Sequence, residues 1–184
     1  MAQDINSPEF TIGVIGTGTM GRGIAQISLT GGFKVKIFDA QEGAADKAQE
    51  FINRMVNRSA EKGQISEEEA VAATGRLQII GSLTEMADCG IVVEAIVENL
   101  DVKRAVFCEL EGVVAQDTIL ASNTSSLSVT QIAAGCVTPE RVAGFHFFNP
   151  VPLLKVVEVV DGEMTAPWVT EKLNAVARKC GHGI

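Results

Sequence analysis

Two residues in this chain have the type and setting for proton chemistry. His146 lies in Gly144-Phe145-His146-Phe147-Phe148-Asn149-Pro150, an imidazole among aromatic residues just before a strand-ending Asn-Pro. Glu158 stands in the middle of Val156-Val157-Glu158-Val159-Val160, where desolvating a carboxylate without a partner is costly. A histidine on a neighbouring strand is the obvious partner. Pairing would fix the tautomer of the imidazole and make it a general base. Taken alone, His146 also reads as a satisfied core histidine, and it is the second awkward residue that favours chemistry. A third group, Ser125, falls in Ser122-Asn123-Thr124-Ser125-Ser126. That run reads either as a cap for a helix starting near Ser128 or as a hydrogen bond to a substrate's reacting oxygen.

Near the start of the chain the residue pattern points to a nucleotide. An apolar run from Phe10 to Ile15 feeds Gly16-Thr17-Gly18-Thr19-Met20-Gly21, and an amphipathic segment from Ile24 follows at once. The order is strand, tight turn, helix. The first glycine allows the turn, the second lets backbone approach a pyrophosphate, and the third lets helix pack close to strand. Phosphates would sit on the N–H groups and positive end of that helix, which makes Gly16, Gly18, Thr19, Met20 and Gly21 candidate contacts. Asp39 closes the next strand, roughly 20 residues downstream, where a carboxylate would accept the ribose hydroxyls; it also reads as a helix N-cap. No Lys or Arg falls between Ala40 and Asp46 to receive a 2′-phosphate, so NAD is favoured over NADP. NAD with a His–Glu pair implies oxidation of a secondary alcohol.

These residues need a frame. Strands are expected over Phe10–Ile15, Lys34–Asp39, Leu77–Ile80, Gly90–Ile96, Thr118–Asn123 and Arg141–Phe148, with Lys155–Val160 a seventh strand or a hairpin partner. Helices are expected after Gly21, over about Gln41–Lys62, from a Ser66 cap, over Asn99–Val114, near Ser128 and over Thr165–Cys180, with a helical turn at Leu83–Ala87. Strands alternating with helices, several apolar on both faces, predict an α/β fold: a Rossmann-type, doubly wound, mostly parallel sheet. Ligands gather beyond the carboxyl ends of such strands, and these ends carry Gly16–Gly21, Asp39, Glu98, Ser122–Ser126 and His146–Asn149. On the long helix, Ala44, Ala48, Phe51, Ile52, Met55 and Ser59 form the expected buried face. Arg54, Arg58 and Lys62 fall four apart on the opposite side, either a solvated stripe balanced by Glu50 and Glu61 or a landing strip for phosphates.

Composition narrows the class. At 184 residues the chain is about one domain. Met1–Glu9 lack periodicity and read as a leader left by cloning, leaving 10–184 as the domain. Fifteen Lys and Arg against 23 Asp and Glu give a net charge of −8, which argues against nucleic acid or an anionic membrane as partner. The apolar runs are far shorter than the roughly 20 residues that span a bilayer, and no charged-then-apolar signal opens the chain. Cys89, Cys108, Cys136 and Cys180 lie far apart without a CxxC, which predicts neither metal site nor disulfide but buried thiols in a reducing cytoplasm. Tyrosine is absent, so mechanisms with a Tyr general acid are excluded.

With these residues assembled, the chain resembles the NAD-binding domain of the L-3-hydroxyacyl-CoA dehydrogenases. The resemblance rests on GVIGTGTMGRGIAQ, VVEAIVENLDVK, LASNTSSLSVTQIA and GFHFFNPVPLLKVVEVV, in order over most of Ile12–Val160. It implies that His146 is the catalytic base, that Glu158 orients it and that Ser125 contacts substrate. It implies NAD contacts at Gly16, Gly18, Met20, Gly21, Asp39, Glu98 and Asn149. Acyl-CoA contacts carry over to Lys103 and the basic stripe Arg54, Arg58 and Lys62. The implied reaction is reversible oxidation of (S)-3-hydroxyacyl-CoA in fatty-acid metabolism such as β-oxidation, in the cytoplasm. The family's second, mostly helical domain, which carries the usual homodimer interface, is expected to be missing from this chain. As a truncated domain the chain is expected to bind NADH and turn over poorly. Two other readings stay open: a non-catalytic, crystallin-like NAD-binding relative, and a dehydrogenase of sugar acids on the same scaffold.

Overall fold

Strands with no polar face set the architecture. β1 (Thr11–Ile15), β4 (Ile91–Glu94) and β5 (Ile119–Ser122) are buried at every position, so helices must cover both sides of the sheet they form. The computed structural model of the chain describes residues 3–184. The other strands are β2 (Lys34–Phe38), β3 (Leu77–Ile79), β6 (Val142–Phe147) and β7 (Val157–Asp161). They make one seven-stranded sheet in the order β3-β2-β1-β4-β5-β6-β7. Six strands run parallel, and β7 runs antiparallel to β6. The order reverses between β1 and β4, and that switch point is where a crevice opens at the carboxyl ends.

Alternation along the strands sorts the core into two layers. Ile12 and Val14, Ile91 and Val93, Ile119 and Ala121, and Phe145 and Phe147 face one layer. There they meet Ile24 and Ile27 of α1 (Thr19–Thr30), Ile52 and Val56 of α2 (Ala44–Glu61), Ala70 of α3 (Glu67–Gly75) and Leu173 and Val176 of α6 (Pro167–Lys179). Ile15, Val92, Leu120 and Val142 point the other way, onto Phe107 and Leu110 of α4 (Leu100–Glu111) and Ile132 of α5 (Val129–Ala133). A period of two in the strands thus meets a period near 3.6 in the helices on both sides. Ser66 caps α3 with a reciprocal Ser66–Glu69 capping box, as expected.

Three details differ from the sequence reading. α2 starts at Ala44 because Gln41 is held in a turn, its N–H donating to Asp39 Oδ1 at 2.9 Å. Its fully buried residues are Ala45, Ala48, Ile52 and Val56, while Phe51, Met55 and Ser59 sit half-buried at the margin. All four cysteines are free, but Cys108 is exposed and Cys136 half-buried. Of the expected leader, Met1 and Ala2 lie outside the described residues. Residues 3–9 pack on the domain: the Lys179 ammonium donates to the Ile5 carbonyl at 2.9 Å and Lys34 pairs with Glu9 at 2.6 Å.

Candidate active site

The crevice begins at the glycine turn. Gly16 has φ +88°, and a Cβ there would lie 2.6 Å from the Ala95 carbonyl oxygen, so β1 and β4 can sit side by side only over glycine. A Cβ on Gly21 would collide with the carbonyl of Gly16, which welds the start of α1 to the turn. Gly18 is different: a Cβ there would meet nothing, and it points into open space. No side chain caps the N-terminus of α1, so its first N–H groups are free to receive an anion. Asp39 stands beside them. Its Oδ2 accepts from the N–H and the hydroxyl of Thr17, both at 2.8 Å, and its Oδ1 from Gln41. This arrangement fits a dinucleotide: open room over Gly18, unpaired donors for phosphates, and a fixed carboxylate for a ribose.

Partial burial pushes the Asp39 carboxyl up, yet the Gln41 N–H, the Thr17 N–H and the Thr17 hydroxyl together hold it below its ordinary 3.8. The folded chain therefore keeps the ionised form more firmly than the unfolded chain. The stabilisation is complete above 3.8 and is lost as pH falls through the lowered value. Asp39→Asn should lower the urea midpoint at neutral pH, with the gap to the parent narrowing as pH drops to about 3. An unchanged gap across that range would count against the assignment.

At the far side of the crevice, hairpin geometry makes the histidine–carboxylate pair. His146 and Glu158 are directly opposed in the β6–β7 register, and His146 Nδ1 lies 2.9 Å from Glu158 Oε2. With Nδ1 engaged, Nε2 is the ring nitrogen left to face a ligand. The ring also rests against Phe148, centroids 4.6 Å apart. The pairing matches the sequence reading, but one premise behind it does not. The Glu158 side chain is 58% exposed, because β7 is an edge strand and its outer face is open. A hollow of about 370 Å³ gathers His146, Ser125, Glu98, Asn149 and Met20 with Asn123, Ala95 and Ile96. Asn123, not singled out by sequence, fixes the end of β6 by accepting from the Phe147 N–H at 2.8 Å.

Glu98 holds the Ser125 side of the hollow. Its carboxylate accepts from the Thr124 hydroxyl at 2.7 Å and from the Ser125 N–H and hydroxyl at 3.1 and 3.3 Å. Partial burial raises the Glu98 carboxyl, but the Ser125 N–H, the Thr124 hydroxyl and the Lys103 charge bring it below its ordinary value. Lys103 itself is not presented to the hollow. It is buried, with Nζ 2.6 Å from Glu94 Oε2 and 3.6 Å from Glu98, since an ammonium in that setting must be paired. Glu94 was not singled out either, although a carboxylate ending Ile91-Val92-Val93-Glu94 carries the same signal that marked Glu158.

The basic stripe divides. Arg54 and Arg22 both lie over the Phe51 ring, at 5.5 and 3.8 Å from its centroid. Arg58 and Lys62 instead line a separate groove of about 660 Å³ between α1, α2 and the loop after β6. Lys155, not picked out as a contact by sequence, lines it too, as do the apolar Ile27, Met55, Ile65 and Leu153. Among the described residues, no group of three or more His, Cys, Asp or Glu could hold a metal ion.

Known proteins resemble the chain in sequence and fold. Residues 11–183 match the family model described as 3-hydroxyacyl-CoA dehydrogenase, NAD binding domain. The chain is 42% identical over 163 residues to 3-hydroxyadipyl-CoA dehydrogenase of Escherichia coli K12, covering 89% of this chain and 34% of that one. It is 41% identical over 150 residues to 3-hydroxybutyryl-CoA dehydrogenase of Mycobacterium tuberculosis H37Rv, covering 81% and 52%. The crystal structure of 3-hydroxybutyryl-CoA dehydrogenase from Escherichia coli K12 superposes with a TM-score of 0.91 at 40% identity, covering 94% of this chain and 37% of that one. The chain thus spans between about a third and a half of the length of these relatives. With a glycine turn that fits a dinucleotide, and a matching family model over nearly its whole length, the chain belongs to the 3-hydroxyacyl-CoA dehydrogenase family, as its NAD-binding domain.

Proposed function

We propose that the chain carries the cofactor and the base for the reversible oxidation of (S)-3-hydroxyacyl-CoA to 3-oxoacyl-CoA. The observation that carries this reading is the cross-strand pair of His146 and Glu158, placed in one hollow with Ser125 and Glu98. Gly16, Gly18, Thr19, Met20, Gly21, Asp39, Glu98 and Asn149 would hold NAD, which when bound would supply the acceptor for the hydride that leaves the carbinol carbon. His146 Nε2 takes the hydroxyl proton as the O–H bond breaks and the carbonyl forms. Glu158 fixes the ring through Nδ1 and stabilises the imidazolium that results. With substrate bound, the Ser125 hydroxyl would turn from Glu98 to donate to the reacting oxygen. A cytoplasmic location, and a homodimer built through a further domain, belong to the same proposal. Acetoacetyl-CoA-dependent oxidation of NADH, compared with gulonate-dependent reduction of NAD, tests the reading. Turnover of the sugar acid in preference to the thioester would overturn it.

The groove of Arg58, Lys62 and Lys155 supports a CoA ester over a smaller acid. Three cations on one groove of a chain with net charge −8 suit the phosphates of CoA, and its apolar lining residues suit the arm behind them. Replacing Arg58 and Lys62 together by Glu should raise KM for acetoacetyl-CoA about tenfold at low salt, less at high salt. KM for acetoacetyl-pantetheine, which lacks the nucleotide phosphates, should not move. An equal rise for both substrates would remove the groove from phosphate binding.

A further inference from the structure

We infer that Glu94 is a positioning residue: it holds the Lys103 ammonium off Glu98, and so keeps the Glu98 carboxylate free for Ser125 and the cofactor. The inference rests on the reading of Glu98 as a cofactor contact, and on a geometry that is independent of it. Glu94 closes β4 with its side chain fully buried. Both of its oxygens are used, Oε1 by the Ser122 hydroxyl at 2.7 Å and Oε2 by the Ile96 N–H at 2.8 Å and by Lys103 Nζ at 2.6 Å. One carboxylate therefore joins the end of β4, the end of β5, the loop that leads to Glu98, and the first turn of α4.

One cation stands between two carboxylates in this network. Lys103 Nζ is 2.6 Å from Glu94 but 3.6 Å from Glu98, outside hydrogen-bond range. The asymmetry has a cause in the donors around each carboxylate. Glu94 is buried where only a fully paired ion is tolerated, and the Lys103 charge completes its set. Glu98 is already satisfied by Thr124 and Ser125 and is partly open to solvent. If the Glu94 charge were removed, Glu98 would be the nearest anion to a buried ammonium on a flexible four-carbon stem. Closing the remaining gap would draw Glu98 away from Thr124 and Ser125. The hollow would lose the alignment of both its cofactor contact and its serine, with no residue of the hollow itself altered.

Glu94→Gln keeps the side chain's shape and its acceptor oxygen. It should raise the NADH dissociation constant about tenfold in a fluorescence titration. The neutral double variant Glu94→Gln/Lys103→Met removes the cation as well, and replaces a buried ion pair with residues of similar volume. With nothing left to pull on Glu98, it should bind NADH within about twofold of the parent. A structural defect at Glu94 would not be cured by a second buried substitution. Double-variant affinity as poor as that of Glu94→Gln would therefore overturn the inference, as would undiminished affinity in the single variant. A crystal structure of Glu94→Gln without ligand gives a readout that does not involve NADH: Lys103 Nζ should close to hydrogen-bond distance of Glu98, and a gap still at 3.6 Å would overturn the inference. Glu98→Gln separates the two readings. If it binds NADH as tightly as the parent, the cofactor role of Glu98 falls, while the crystallographic distance still decides the role of Glu94.

Discussion

Glutamine in place of His146 should lower kcat for acetoacetyl-CoA reduction by about 10²–10⁴-fold, with NADH affinity unchanged. Gln at this position can still hydrogen-bond to Glu158, so the hairpin should hold, but it cannot carry a proton between substrate and solvent. Glu158→Gln should cost less, about 10–100-fold, because it removes the orienting charge and leaves the base in place. The exposure of Glu158 also limits its electrostatic leverage, since water screens what the carboxylate does to the ring. The order of the two effects is the informative part. If Glu158→Gln cost as much as His146→Gln, the pair would be acting as a single structural unit. Unchanged kcat in His146→Gln would remove the imidazole from the reaction.

Gly21→Ala should abolish NADH binding and also lower stability, whereas Gly18→Ala should weaken NADH binding alone. The Gly21 Cβ would run into the Gly16 carbonyl, a main-chain atom that cannot swing aside. Overpacking of this kind costs about 1–3 kcal/mol and would push the first turn of α1 off the turn that precedes it. At Gly18 a methyl group meets no protein atom, so the urea midpoint should stay put. That methyl would occupy the space through which a pyrophosphate approaches the backbone, raising the NADH dissociation constant about 10–100-fold. Paired urea and NADH titrations on the two variants check this. Parallel losses of stability and affinity in Gly18→Ala would mean that the open space is not the ligand's.

Much of this was legible in the residues, for reasons that differ by element. The strands were plain because their burial is all-or-none: Ile91-Val92-Val93 and Ile119-Leu120-Ala121 have no solvent face, so hydrophobicity alone marks them. The glycine turn was plain because backbone sterics dictate residue type there. The direction of β7 was not, since Val156–Val160 has the same pattern whether it pairs parallel or antiparallel. The valines around Glu158 suggest a burial that the open edge of the sheet does not give it; its pairing with His146 comes from register. The burial phase of α2 was blurred by Phe51 and Met55, large residues that read as core but sit at its margin. Lys103 shows the limit of resemblance as a guide. It carries over as an acyl-CoA contact, and only the fold places Glu94 beside it.

The antiparallel turn-back at the end of the sheet has a consequence for how this protein could be altered. His146 and Glu158 lie on adjacent strands of one hairpin, only 12 residues apart in sequence, whereas the hollow that they serve draws on residues from Met20 to Asn149. The reactive pair is therefore a cassette of short contact order, able to form from local chain alone, while the cofactor crevice exists only after long-range parallel strands have assembled. Exchanging the segment from β6 through β7 should retune the proton chemistry while leaving the glycine turn and Asp39 untouched; of the proposed cofactor contacts it replaces Asn149 alone. The proton chemistry and most of the nucleotide grip are, in this fold, separately exchangeable parts.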